Sequence, residues 1–133
     1  MKKLLLTIAL TLTTAFADAA LAPLVETKTY GIHLYFDETE FIDVLIINRF
    51  ADGALKGEMH VPNDFDGPVQ NVKIEGNKIT FDLLVPKNLS RPTDLMFHYE
   101  GQFFDATQTQ LIGFVTIKDQ SGFVASFTGF LRN

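Results

Sequence analysis

Residues able to do chemistry are sparse in this chain of 133 residues. It has three histidines and no cysteine. His33, His60 and His98 are the candidates for metal ligation. By strand parity all three point outward, and His33 and His60 should flank Leu45 on the strand between them. Two strand spacings separate such positions by about 10 Å, whereas zinc holds its nitrogen ligands at about 2.1 Å. They are expected to be solvated side chains, and no metal or other cofactor is expected. The segment Pro62-Asn63-Asp64-Phe65-Asp66-Gly67-Pro68 hints at a calcium loop. In an EF-hand register, however, Pro62 and Lys73 would stand where carboxylates are needed. A polar turn with Phe65 capping a barrel end is the expectation. The acidic turn Asp37-Glu38-Thr39-Glu40, with Asp43 nearby, reads as a charged hairpin tip.

Nucleophilic catalysis finds no better support. None of Ser90, Ser121 and Ser126 lies in Gly-x-Ser-x-Gly, and no histidine is expected inside with a serine. A glycosidase needs paired carboxylates in a polar cleft, and the pattern offers none. Asn88-Leu89-Ser90 matches a glycosylation sequon, which carries little weight in a bacterial-type exported chain. No catalytic residue is assigned, and the chain is read as a non-enzyme.

The elements behind these positions are strands. Past residue 27, apolar and polar residues alternate with period two in short runs split by turn signals. Eight strands are predicted, at 28–37, 41–50, 54–61, 69–75, 78–86, 94–104, 110–118 and 122–132. Gly76-Asn77 predicts a two-residue hairpin setting Ile74 against Ile79 and Val72 against Phe81. Asp52-Gly53 should set Phe50 against Leu55, Asn48 against Gly57 and Ile46 against Met59. A three-residue loop at 38–40 should set Phe36 against Ile42 and Leu34 against Val44. Turns near Thr107 and Gln120 should set Gly101 against Gly113, Gly113 against Phe127 and Val115 against Ala125. The strands then share one dry face, and closing them into an eight-stranded antiparallel up-and-down barrel removes exposed edges. A two-sheet β-sandwich is the alternative.

Three strands share an apolar-x-Gly-x-apolar pattern, centred on Gly57, Gly101 and Gly113. Inward glycines allow the bend that closure needs. With the ending Gly122-Phe123-Val124-Ala125-Ser126-Phe127, this run of short strands resembles the small exported calycin-like (lipocalin-like) barrels of bacteria. It departs from lipocalins proper in carrying Gly31-Ile32-His33 where they have Gly-x-Trp. The resemblance implies a barrel that holds one small apolar molecule. Gly101 and Gly113 would leave a bare strip of inner wall beside Phe127, with Phe81, Phe97 and Phe103 around it. Asn48, expected inside, would be the polar contact. Alternatively Phe127 lies over the glycines and the core is solid. The chain has 13 phenylalanines, which favours the filled core.

On the outer face, Tyr35, Phe104, Ile112, Phe114, Val124 and Phe130 form an apolar region. It is expected to be covered by residues 21–25 or to meet a second copy or a protein partner. The other outward positions are largely charged and the inside is dry, the reverse of a membrane barrel.

Residues 1–19 have a positive start at Lys2 and Lys3, an apolar run, and small-x-small sites ending at Ala17 and Ala19. That is the layout of a signal peptide cleaved after 17 or 19, leaving one barrel domain at 20–133. The product is expected in the periplasm of a Gram-negative-type cell or secreted. It is not a lipoprotein, because there is no cysteine to acylate, and no transmembrane segment follows the leader. Losing Lys2 and Lys3 leaves nine basic against 16 acidic residues, a net charge near −7 if Asp18 is kept. Such a surface repels nucleic acid. Two readings remain. One is a soluble barrel binding a small apolar ligand. The other is an interaction module, an inhibitor or accessory subunit, acting through its outer face and loops.

Overall fold

β-branched and aromatic runs broken by Gly, Asn and Asp form strands where the alternation predicts them. The computed structural model describes residues 22–118, 120 and 124–133; the predicted leader lies outside them. The strands are β1 (Leu24–Phe36), β2 (Thr39–Phe50), β3 (Leu55–Val61), β4 (Phe65–Glu75), β5 (Lys78–Val85), β6 (Leu95–Phe103), β7 (Gln110–Ile117) and β8 (Val124–Leu131). Each pairs antiparallel with the next, and β8 pairs with β1 to close an eight-stranded up-and-down barrel. The sandwich alternative is excluded by that closure.

Several predicted registers are present: Ile74 with Ile79, Gly101 with Gly113, Gly113 with Phe127, and Val115 with Ala125. β2 is different. Phe36 pairs with Thr39 rather than Ile42, and Gly57 with Ile47 rather than Asn48. The first turn holds two residues, not three, because Asp37 and Glu38 both adopt positive φ (49° and 63°). The next turn holds three residues, not two. There the Phe50 N–H donates to the Ala54 carbonyl at 3.0 Å, with Gly53 at φ 85° between them.

Each correction shifts the register by an odd number, so β2 alone is turned over. Phe41, Asp43, Leu45 and Ile47 take the inward parity, and Asp43, Leu45 and Ile47 are buried. Ile42, Val44, Ile46, Asn48 and Phe50 face outward. β4 also departs from expectation. It starts at Phe65, and a bulge between Gln70 and Lys73, with Asn71 at φ 54°, keeps Val72 from facing Phe81.

One end of the barrel is sealed. The Tyr30 hydroxyl donates to the Gln108 carbonyl at 2.8 Å, and the Tyr30 and Phe103 rings lie 6.2 Å apart. The space left there is about 10 Å³, room for one water at most. In the middle, Phe81 stacks on Tyr99 at 4.5 Å, and Phe127 meets Tyr99 edge-on at 5.5 Å. A Cβ added to Gly101 would sit 3.1 Å from the tip of the Phe127 ring. Phe127 thus lies against Gly101, and the centre is filled by the protein's own aromatics.

Candidate functional site

The opposite end is open. β1 ends there at Phe36, β2 begins, β3 ends at Val61, β4 begins at Phe65, and β5 and β6 are joined by residues 86–94. A cavity of about 350 Å³ lies at this end, above Tyr99. That lies near the lower end of small-molecule sites, roughly 300–1,000 Å³. Its wall is mostly apolar: Leu34, Phe36, Phe41, Val61, Phe65, Leu83, Val85, Leu95, Phe97 and Ile117. Phe65, expected to cap a barrel end, is half-buried in this wall.

The rim is braced by Arg91. Its guanidinium donates to both Asp64 carboxylate oxygens, at 2.9 and 3.0 Å, and to the Pro86 carbonyl at 2.9 Å. Asn88, the sequon residue, accepts from the Ser90 and Arg91 backbone N–H groups, at 2.8 and 2.9 Å, and so shapes the same loop. The Arg91 hydrogen bond, foremost, holds the Asp64 carboxyl below its ordinary range.

Two polar groups reach the cavity from below the rim. Asp43 on β2 is 4% exposed. No hydrogen bond from a described residue reaches its carboxylate, whose oxygens stay open to the cavity. Burial, chiefly, and the nearby Asp64 charge push its pKa up to about 6, while His60 pulls the other way. Tyr99 forms the floor; burial first, and the Asp43 charge second, raise its hydroxyl pKa. A buried carboxylate left without a partner is costly, so Asp43 stands out in an otherwise apolar cup. The register expected for β2 faces Asp43 outward, and the observed pairing turns it to the cavity.

The predicted ligand residues separate. Phe97 lines the cavity. Phe81, Phe103 and Phe127 are buried in the packed centre, and Gly101 and Gly113 lie in the wall beside them. Asn48 is not inside: it faces outward, accepts a hydrogen bond from the Thr27 hydroxyl at 2.7 Å, and borders a surface hollow with Lys56 and Glu58. The cause is the turned-over β2.

Each histidine is outward and held by a carboxylate: His33 by Glu40, His60 by Asp66, and His98 by Asp82. His33 and His60 do not flank Leu45; His33 pairs across to Ile42, and His60 to Val44. Among the described residues, no three His, Asp or Glu side chains group as a metal site. Asp82 also accepts from Asn71 and Lys118, at 3.0 and 3.1 Å. Burial works to raise its pKa, but the hydrogen bonds from Asn71, His98 and Lys118 outweigh it and hold the carboxyl at about 2.

The outer wall is split. Outward positions on β3 to β6 carry Lys56, Glu58, Asp66, Lys73, Glu75, Lys78, Asp82 and Glu100. Among the described residues of β7, β8, β1 and β2, the outward charge is Glu40, with Arg132 just beyond β8 lying over Gly31. Tyr35, Ile42, Phe104, Ile112, Phe114 and Phe130 are exposed on or beside this second half. The expected cover by the N-terminal segment is not found among the described residues. The Pro23 carbonyl accepts from Ala51 N–H, and Leu24 pairs with Phe50, so that segment extends β1 alongside β2. The Val124 side chain lies outside what is described. No helix among the described residues is long and apolar enough to cross a membrane.

Compared with known proteins, the chain matches no family model, no curated protein and no solved structure.

Proposed function

We propose that this protein is an exported, non-enzymatic barrel that binds one small, mostly apolar molecule in the cavity at its open end. The observation that carries the reading is the cavity of about 350 Å³. Its apolar wall supplies hydrophobic contact, and a few placed polar groups supply orientation. The packed centre limits the ligand to the mouth. Phe97 is the residue of the original candidate set that lies within reach, and Phe36, Phe41, Leu95 and Ile117 join it.

The test uses an uncharged fluorescent probe, N-phenyl-1-naphthylamine. Its emission should rise saturably with one site per chain. Leu95→Trp, which fills the mouth, should weaken binding at least about tenfold, because overlap with a packed wall is poorly relieved. Phe130→Ser, on the outer wall, should leave binding unchanged. Loss of binding in Phe130→Ser but not in Leu95→Trp would place the probe on the surface and refute the reading.

The split outer wall favours a second reading, association with another copy. Two acidic molecules approach with least repulsion through the half that carries almost no charge, and that half also exposes aromatics. The parent protein should sediment as a dimer. Phe114→Lys should sediment as a monomer with its melting temperature nearly unchanged, since this side chain is exposed within one chain. A monomeric parent at tens of micromolar rules this reading out.

A further inference from the structure

We infer that the molecule held in the mouth cavity is an apolar amine, its body packed among the aromatic wall and its protonated nitrogen set against the Asp43 carboxylate. The inference rests on the cavity being a ligand site and adds the class of ligand.

Among the described residues, the charged ones lining the cavity are Asp43, Asp64 and Arg91. Arg91 is committed, with both terminal nitrogens bonded to Asp64 and one also to Pro86 O. Asp64 is committed in return. Asp43 is the remaining charge, nine-tenths buried, directed into the cavity, with no hydrogen bond from a described residue.

An anionic head group would meet Asp43, and no described residue lining the cavity offers a free cation to receive it. A neutral alcohol would supply one ordinary hydrogen bond. A protonated amine supplies charge and donors together, and a charge-assisted hydrogen bond is about twice as strong as a neutral one. Aromatic faces around the cavity, Phe41, Phe97 and Tyr99, also tolerate a cation better than aliphatic walls do. The Tyr99 hydroxyl, kept neutral by burial, adds an acceptor at the floor.

Ionisation of Asp43 sets the pH response. The groups facing it are Asp64, which stays ionised beside Arg91; Tyr99, which stays neutral; and His60, held by Asp66 on the outer side of β3. Amine affinity should therefore fall as pH drops through about 6, while the affinity of an alcohol should not change.

The experiment is calorimetric titration of the purified protein with n-decylamine, n-decanol and n-decanoate at pH 8. Decylamine should bind at least about tenfold tighter than decanol, and decanoate weakest. In Asp43→Asn, amine and alcohol should come within about threefold of each other, with decanol binding retained. At pH 5 the parent should lose about tenfold in amine affinity and nothing for decanol. If decanol binds but decylamine binds no tighter, or if the amine preference survives in Asp43→Asn, the amine assignment is overturned and the cavity reading stands. If none of the three binds the parent, the cavity reading itself fails, and the amine assignment with it.

Discussion

Gly113→Ala is expected to leave no folded barrel. A Cβ on Gly113 would lie 1.9 Å from the Glu100 carbonyl oxygen and 2.8 Å from the Gly101 Cα. Both are backbone atoms of the neighbouring β6, held in register by Glu100↔Phe114 and Gly101↔Gly113, so relief requires parting two strands. In a closed barrel that means opening the ring. The cost should exceed about 4 kcal/mol, beyond the range of ordinary substitutions, and comparable to the whole stability of a small domain.

Gly101→Ala is the matched control. Its Cβ would meet the side chains of Ile79, Leu111 and Phe127 at 3.1 Å, and those can shift by tenths of an ångström at about 1–3 kcal/mol. Near-ultraviolet circular dichroism and thermal melts read both. Gly101→Ala should melt cooperatively at a lowered temperature, and Gly113→Ala should show no native signal. A cooperative melt from Gly113→Ala would mean that β6 and β7 do not approach this closely.

Asp43→Asn is expected to stabilise the protein at neutral and alkaline pH. In the folded state the Asp43 carboxyl titrates at about 6 instead of 3.8, chiefly because burial disfavours its charge. Between those values the folded protein keeps a proton that the unfolded chain has released. Stability therefore falls as pH rises through this window and stays lowered above it. At about 1.4 kcal/mol per unit, the penalty is of order 2–3 kcal/mol. The asparagine variant avoids it and should melt roughly 10 °C higher at pH 8. The gain should shrink as pH falls through 6 and vanish only below about pH 3, where Asp43 is protonated in both states. A lower melting temperature for Asp43→Asn at pH 8 would show that the folded protein stabilises the charged carboxylate, contrary to its lack of partners.

Sequence alone determined the strand count, the up-and-down order, and the faces of β1, β3 and β5 to β8. Alternation is plainest in β5, with Ile79, Phe81, Leu83 and Val85 against Lys78, Thr80 and Asp82, whereas β7 and β8 carry apolar residues on both faces and take their parity from the pairing registers. It also placed Gly101, Gly113 and Phe127 side by side, as the strand pairing has them. What it left to the tertiary structure was the face of β2 and, with it, the site. Phe41-Ile42-Asp43-Val44-Leu45-Ile46-Ile47 is apolar on both faces apart from one aspartate, so its parity could only come from the turns. Those turns take unfavoured geometry: Asp37 and Glu38, neither of them glycine, both adopt positive φ. At the first turn the register moves by three positions and at the second by one, and either odd shift moves Asp43 from solvent to a cavity wall. The cavity itself was equally hidden. Whether eight strands leave space depends on how large side chains share the interior, and here Phe81, Tyr99 and Phe127 fill the middle while a cavity of about 350 Å³ is left at one end. That partition is a property of three-dimensional packing, to which alternation along a strand is blind.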